Sequence, residues 1–159
     1  KDEIDGLMRI LVFYIRSELY RLIKNNVKLH ILGDIEPLPI VARYEVKRAI
    51  EETKNNNGMH LNIALNYGGR ADIINAVKEI LIDDIDSNLF SGYLYTNGQP
   101  DPDLLIRPSG ESRISNFLLY QIAYTELWFS DILWPDFKEE NLYEAIIDYQ
   151  KRNRRFGGI

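Results

Sequence analysis

Two periodicities alternate along this chain and predict an α/β fold, with a mostly parallel central sheet flanked by helices. Segments with apolar residues at helical spacing are separated by short runs that alternate or run apolar, as strands joined by crossover helices do. Strand ends run into glycine or arginine before the next helix, the habit of βα connections. The 159 residues suffice for a sizeable core, and the whole of 1–159 reads as a single α/β domain without repeats or low-complexity linkers.

Residues 3–26 form the first helix, with Ile4, Leu7, Met8, Leu11, Val12, Ile15, Leu19, Leu22 and Ile23 at i, i+3, i+4 spacing. Asn25 and Asn26 end it, because asparagine tolerates turn geometry. Ile10, Phe13 and Tyr14 widen the apolar stripe, which predicts burial on two sides. Residues 27–33 (VKLHILG) form a strand. A lone strand histidine such as His30 is more often structural than a ligand. A turn over 34–39 leads through Pro37 into a charged helix over 40–55, closed by the asparagines before Gly58.

Residues 59–67 alternate Met59, Leu61, Ile63, Leu65 and Tyr67 against polar or small neighbours, which is a strand. Gly68-Gly69-Arg70 opens a helix over 71–86. Residues 87–102 are loop-like, with Gly92, Gly98, Pro100 and Pro102. Leu104, Leu105 and Ile106 form a strand that stops at Arg107. Helical spacing returns over 114–125 through Phe117, Leu118, Tyr120, Gln121 and Tyr124. Residues 126–134 are a short strand or irregular apolar segment, broken at Pro135, and the last helix covers 138–155.

Apolar residues make up 45% and charged residues 27% of the chain, ordinary for a globular protein. The formal charge of −5 argues against a nucleic-acid partner, although Lys151 to Arg155 form a basic run. Without cysteine there are no disulfides or thiolate metal sites, which fits a reducing compartment. No apolar run approaches the ~20 residues that span a bilayer. The expected location is cytoplasmic, with peripheral association to the membrane. The chain opens at Lys1 and enters helical pattern at once, so it is expected to be part of a longer protein.

The chemistry concentrates in residues 103–137. Arg107 and Arg113 bracket a small polar turn, Pro108-Ser109-Gly110-Glu111-Ser112. Guanidinium pairs phosphate oxygens two at a time, and small residues let backbone N–H groups approach the same anion. Glu126 could then hold the magnesium that accompanies a diphosphate. The competing reading is a strand, a turn and a surface salt bridge. Gly68-Gly69-Arg70, a strand-to-helix junction, offers a second set of backbone donors. In parallel sheets ligands collect at strand carboxyl ends, so this junction and Arg107 could share one site.

Residues 62–73 (NIALNYGGRADI) and 103–137 (DLLIRPSGESRISNFLLYQIAYTELWFSDILWPDF) resemble two signature blocks of the cis-prenyltransferases, the undecaprenyl diphosphate synthase family. The closing RNRRFGG, residues 152–158, resembles that family's Arg-x-Gly element. The resemblance runs collinearly from Glu3 to the end. It implies a homodimeric, magnesium-dependent α/β enzyme that condenses isopentenyl diphosphate with an allylic diphosphate such as farnesyl diphosphate. The product would partition into the membrane. By the same resemblance, Arg107, Arg113, Ile114 and Ser115 bind the diphosphate of isopentenyl diphosphate. Glu126 coordinates magnesium, Glu3 lies near the active-site loop, and Arg155 and Gly157 reach the neighbouring subunit's site. Asn66, Gly68, Gly69 and Arg70 fall in a mainly structural block.

Departures from the family pattern are equally specific. The Asp-Gly-Asn-x-Arg-Trp element, with its essential aspartate, has no match here and is expected upstream of Lys1. No catalytic residue is therefore assigned in this chain. Pro108-Ser109 stands where bacterial members commonly show Thr-Gly, and proline removes a backbone donor, leaving anion contacts to Ser109, Gly110 or the arginines. An apolar tunnel for the growing chain is expected along the first helix (Leu11, Ile15) and the Met59 strand. The alternative function is a non-catalytic partner subunit of a heteromeric cis-prenyltransferase; retention of Arg107, Arg113, Ser115 and Glu126 weighs against it.

Overall fold

The structure, a computed structural model, describes the backbone of residues 2–81 and 84–154, and side chains from Ile4 onward within those ranges. Its contacts divide the chain into two compact units, Lys1–Tyr67 and Gly68–Ile159. No helix among the described residues is long and apolar enough to cross a membrane.

The first unit consists of α1 (Asp2–Lys24), β1 (Lys28–Leu32), α2 (Ile40–Thr53) and β2 (His60–Ala64). The strands pair in parallel, with Leu29 opposite Leu61 and Ile31 opposite Ile63. Strand alternation sets those four on one face, where they pack with Ile15 and Leu19 of α1 and Val46 and Ala49 of α2. Each fully covered aliphatic side chain contributes about 1.5–3 kcal/mol. The wide stripe of α1 is covered on one side only: Ile10, Phe13 and Tyr14 are more than half exposed.

Asparagine ends α1 as expected. Asn26 takes a left-handed φ of 56°, while the N–H groups of Asn26 and Val27 turn back to the carbonyls of Ile23 and Leu22 at 3.1 and 2.9 Å. This is the Schellman pattern with asparagine in the position usually held by glycine. Thr53, wholly buried, then fastens α2 to β1: its hydroxyl donates to the Ala49 carbonyl at 2.8 Å and accepts the Leu29 N–H at 3.1 Å.

The second unit holds α3 (Gly69–Glu79), α4 (Ser87–Ser91), β3 (Leu104–Arg107), β4 (Glu126–Phe129), a 3-10 turn (Trp134–Asp136) and α5 (Glu139–Lys151). β3 and β4 are parallel, running from Leu104 opposite Glu126 to Arg107 opposite Phe129. Four expectations change here. The helix predicted over 71–86 begins at Gly69 and ends at Glu79, with Ile80 extended at φ −77° and ψ 121°. Leu81 is 93% exposed, so the apolar spacing there finds nothing to pack on. The loop-like stretch 87–102 contains α4, whose first turn is capped by Asp86 accepting the Leu89 N–H at 2.7 Å.

The third change matters most. Residues 114–125 are a succession of turns rather than a helix, because Ser115, Asn116 and Leu118 stand at positive φ of 48°, 64° and 46°. A right-handed helix cannot include them. The last helix likewise stops at Lys151, with Arg152 extended at φ −80° and ψ 143°.

Candidate functional site

Arg107 is placed where the sequence predicted, at the carboxyl end of β3. Its Nε is buried and has no hydrogen-bond partner among the described residues. A shielded, unpaired guanidinium N–H costs about 1–3 kcal/mol or more, a cost an anionic ligand would relieve. The turn beyond it folds back on the segment after β4. Ser109 N–H donates to the Ile132 carbonyl at 2.8 Å and Gly110 N–H to the Ser130 carbonyl at 2.9 Å, while Ser130 N–H donates to the Arg107 carbonyl at 3.0 Å. The backbone donors expected to help bind an anion at Ser109 and Gly110 are thus already used. Recognition in this turn falls to side chains.

Arg113 supplies one of them. Its side chain is 66% exposed and pairs with Glu111 at 2.5 Å, a surface ion pair of the kind worth ~1 kcal/mol or less and easily exchanged for a stronger anion. Ile114 is half-buried and Ser115 exposed, so the Arg113-Ile114-Ser115 segment presents a guanidinium and a hydroxyl outward. Arg107, Arg113, Ile114 and Ser115 all belong to the second unit.

The Gly68-Gly69-Arg70 junction is organised differently from the sequence expectation. The Gly69 N–H donates to the Asn116 carbonyl at 2.7 Å, and the Arg70 N–H donates to Asn116 Oδ1 at 2.9 Å. The first donors of α3 therefore serve Asn116 and not an anion. The glycines serve close packing: a Cβ at Gly68 would lie 2.7 Å from Asn116 Nδ2, and one at Gly69 would lie 2.9 Å from the Leu119 nitrogen. The mainly structural role implied for Gly68, Gly69 and Arg70 matches this geometry.

Just inside that junction, Asp72 is 2% exposed. Its carboxylate accepts the Tyr95 N–H at 3.1 Å and the Gln121 amide at 3.2 Å, and Gln121 also donates to Thr96 Oγ1 at 3.1 Å. Sequence reasoning passed over Asp72 and counted Gln121 only as a member of a helix. The available signal was a polar residue in the middle of an apolar run.

Glu126 begins β4, opposite Leu104. One of its oxygens accepts from Arg152 at 2.8 Å, and the same guanidinium holds Asp148 at 2.6 Å and the Leu127 carbonyl at 3.0 Å. Glu126 first, then Asp148, holds Arg152 above the ordinary arginine value. Alongside, Arg154 donates to Asp103 and to the Tyr149 hydroxyl, both at 2.6 Å. Arg152 and Arg154 of the basic run are thus pinned to the beginnings of β4 and β3.

Arg107 lies three residues further along the strand pair, about 10 Å by strand rise, and alternation turns it to the opposite face. The structure brings Glu126 to Arg152 rather than to Arg107. Among the described residues no group of three or more His, Cys, Asp or Glu could hold a metal ion. Arg155 and Gly157 lie outside the described residues, as does the side chain of Glu3.

The first unit contains an apolar cavity of about 280 Å³ between α1 and the strand pair, lined by Leu11, Ile15, Leu22, Leu29, Leu61 and Ile63 among others. Leu11 and Ile15 are where the tunnel expectation put them. Met59 is not: it precedes β2, is 61% exposed, and leaves the wall to Leu61 and Ile63.

Comparison with known proteins follows the same lines. Residues 1–157 match the prenyltransferase family described as "Putative undecaprenyl diphosphate synthase". The chain is 52% identical to an isoprenyl transferase of Clostridium tetani, covering 100% of this chain and 66% of that protein. It is 51% identical to one of Geobacillus kaustophilus, covering 100% and 65%. The chain thus spans about two thirds of the length of these curated relatives. Among solved structures it superposes on lavandulyl diphosphate synthase from Lavandula x intermedia, crystallised with dimethylallyl diphosphate. The TM-score is 0.93 at 38% identity, over 99% of this chain and 72% of that one. A "probable undecaprenyl diphosphate synthase" from Campylobacter jejuni gives a TM-score of 0.90 at 32% identity, over 99% and 76%.

Proposed function

Because the chain belongs to the undecaprenyl diphosphate synthase family of prenyltransferases, we propose that this protein condenses isopentenyl diphosphate with an allylic diphosphate such as farnesyl diphosphate. The product is a cis-polyprenyl diphosphate such as undecaprenyl diphosphate, a carrier lipid for cell-wall glycans that partitions into the membrane. The observation that carries the reading is the pair of guanidinium groups, Arg107 with its unpartnered buried Nε and the exposed Arg113, on either side of one tight turn at a strand's carboxyl end.

In this reading Arg107, Arg113, Ile114 and Ser115 hold the diphosphate of isopentenyl diphosphate, which stays attached throughout. Positive charge develops on the allylic carbon as its own diphosphate leaves, so fixed cationic groups near the two diphosphates lower the barrier electrostatically. Magnesium, as the cation accompanying the diphosphates, belongs to the proposal and would supply further neutralisation of phosphate charge. Glu126 is its candidate ligand in this chain. The cavity lined by Leu11, Ile15, Leu61 and Ile63 is the candidate housing for the apolar chain. A homodimer, with Arg155 and Gly157 reaching the neighbouring site, completes the proposal. Retention of both arginines, Ser115 and Glu126 favours it over a non-catalytic partner subunit.

The test is to supply the full-length protein with farnesyl diphosphate, labelled isopentenyl diphosphate and magnesium. Label should enter a butanol-extractable polyprenyl product, whose chain length is then read directly. No incorporation by pure, folded protein would overturn the reading.

A further inference from the structure

Resting on the reading above, we propose that Asn116 is a positioning residue that shapes the Arg113-Ile114-Ser115 segment for the diphosphate by locking it onto the first turn of α3. Ser115, Asn116 and Leu118 all stand in the left-handed region, at φ of 48°, 64° and 46°. Asparagine is adapted to that conformation, whereas serine and leucine are strained there, at about 1–3 kcal/mol each. Such a run persists only where its surroundings over-determine it.

Asn116 supplies that determination with both of its carbonyl groups. Its backbone oxygen accepts the Gly69 N–H at 2.7 Å and its side-chain Oδ1 accepts the Arg70 N–H at 2.9 Å. These are helix-start donors, which have no partner within the helix, and the positive end of the α3 dipole favours the two oxygens. The approach requires glycine on the other side, since a Cβ at Gly69 would stand 2.8 Å from Leu119 Cγ and 2.9 Å from the Leu119 nitrogen. A few residues on, Gln121 fastens the same stretch to Asp72 in that first turn of the helix.

Two fixed points thus hold residues 116–121 against α3, and the three residues immediately before them carry the groups assigned to the ligand. The helix terminus acts here as a mould for the binding segment and is not itself an anion site. Asn116 touches no reacting atom; it acts through Arg113 and Ser115.

The test compares Asn116→Leu with Asn116→Asp in the full-length protein, reading KM for isopentenyl diphosphate and for farnesyl diphosphate separately. Leucine removes the Oδ1 acceptor and resists the left-handed conformation. Its KM for isopentenyl diphosphate should rise about tenfold, roughly the loss of one hydrogen bond, with KM for farnesyl diphosphate within about twofold of the unmutated protein. Aspartate keeps the acceptor and should return KM for isopentenyl diphosphate to the unmutated value. Unchanged constants in a folded leucine variant, an equal rise in both constants, or failure of aspartate to rescue would overturn the proposal. If the leucine variant does not fold, Gly68→Ala takes its place, because the new Cβ would lie 2.7 Å from Asn116 Nδ2. The same selective rise, about threefold, is expected, and no rise overturns the proposal. An unmutated protein that incorporates no isopentenyl diphosphate would instead overturn the functional reading and, with it, this role.

Discussion

The two units of this chain are built on the same motif, a parallel strand pair with helices, yet they are held by different forces. In the first, an aliphatic cluster dominates: Ile15, Leu19, Leu29, Val46 and Ala49 meet in it, while the buried Thr53 bonds to Leu29 and the buried Glu45 pairs with Arg16 and Arg48. In the second, the buried apolar residues among those described are Ala76, Leu94, Leu105 and Ala145, and the polar side chains Asp72 and Gln121 share the interior with them. Apolar packing is non-directional and tolerates small shifts. Hydrogen bonds to a buried carboxylate fix angles and distances and are costly to leave unmade. The difference suits the two tasks assigned above, a greasy cavity in one unit and a shaped polar loop in the other.

The largest effect on stability should come from the aliphatic unit. Leu29→Ala removes a side chain that is 2% exposed at the junction of both helices and both strands, and should cost about 3 kcal/mol, read from the urea unfolding midpoint. A loss under ~1 kcal/mol would mean that the cluster repacks freely and would weaken the contrast between the units. Arg107→Ala is the converse. Its stability should change little, because its buried Nε lacks a partner among the described residues, while kcat/KM for isopentenyl diphosphate should fall about a hundredfold. A large drop in stability with normal kinetics would make Arg107 a scaffold residue.

How far the sequence could be read follows the same division. Every element of the first unit was visible, because period-2 and period-3.6 patterns report apolar burial directly, and even the end of α1 was signalled by Asn26. In the second unit β3 and the turn after Arg107 were visible, β4 only as one of two readings, and the turns over 114–125 were not. The apolar spacing of Phe117, Leu118, Tyr120 and Gln121 is genuinely helical as a pattern, but Asn116 spends its oxygens on Gly69 and Arg70, a partnership 46 residues long that no local window contains. Arg107 was legible as the stop of an apolar run and Arg113 as its neighbour across a turn. The Glu126–Arg152 pair was not, because spacing along the chain says nothing about which cation a carboxylate will meet.

Glu126 gives a third and smaller way to sharpen the comparison. If it is the magnesium ligand that the family resemblance implies, Glu126→Ala should raise the magnesium concentration for half-maximal activity by about tenfold, while Arg152→Ala should leave that requirement near normal. An identical magnesium dependence in the Glu126 variant would reduce Glu126 to the ion pair seen here. That pair is only partly shielded, with side-chain exposures of 28% and 29%, and would then contribute no more than about 1 kcal/mol of stability.

The smallest expected effect tests the non-core face of the first unit's strand pair. His30 stacks on His60 with ring centroids 4.9 Å apart and planes 23° from parallel, and its Nε2 is buried without a hydrogen-bond partner among the described residues. Burial first, then the charges of His60 and Lys28, push the His30 pKa below the ordinary histidine value. For a base depressed in the folded state, the unfolded chain binds more protons between the two values. Stability is therefore complete above the unfolded value, near ~6.5, and erodes as pH falls below it. His30→Gln removes that titration, so the acid side of its stability profile, from urea midpoints at pH 7.5, 6.5 and 5.5, should be flatter than that of the unmutated protein. Parallel profiles would show that the acid sensitivity arises elsewhere.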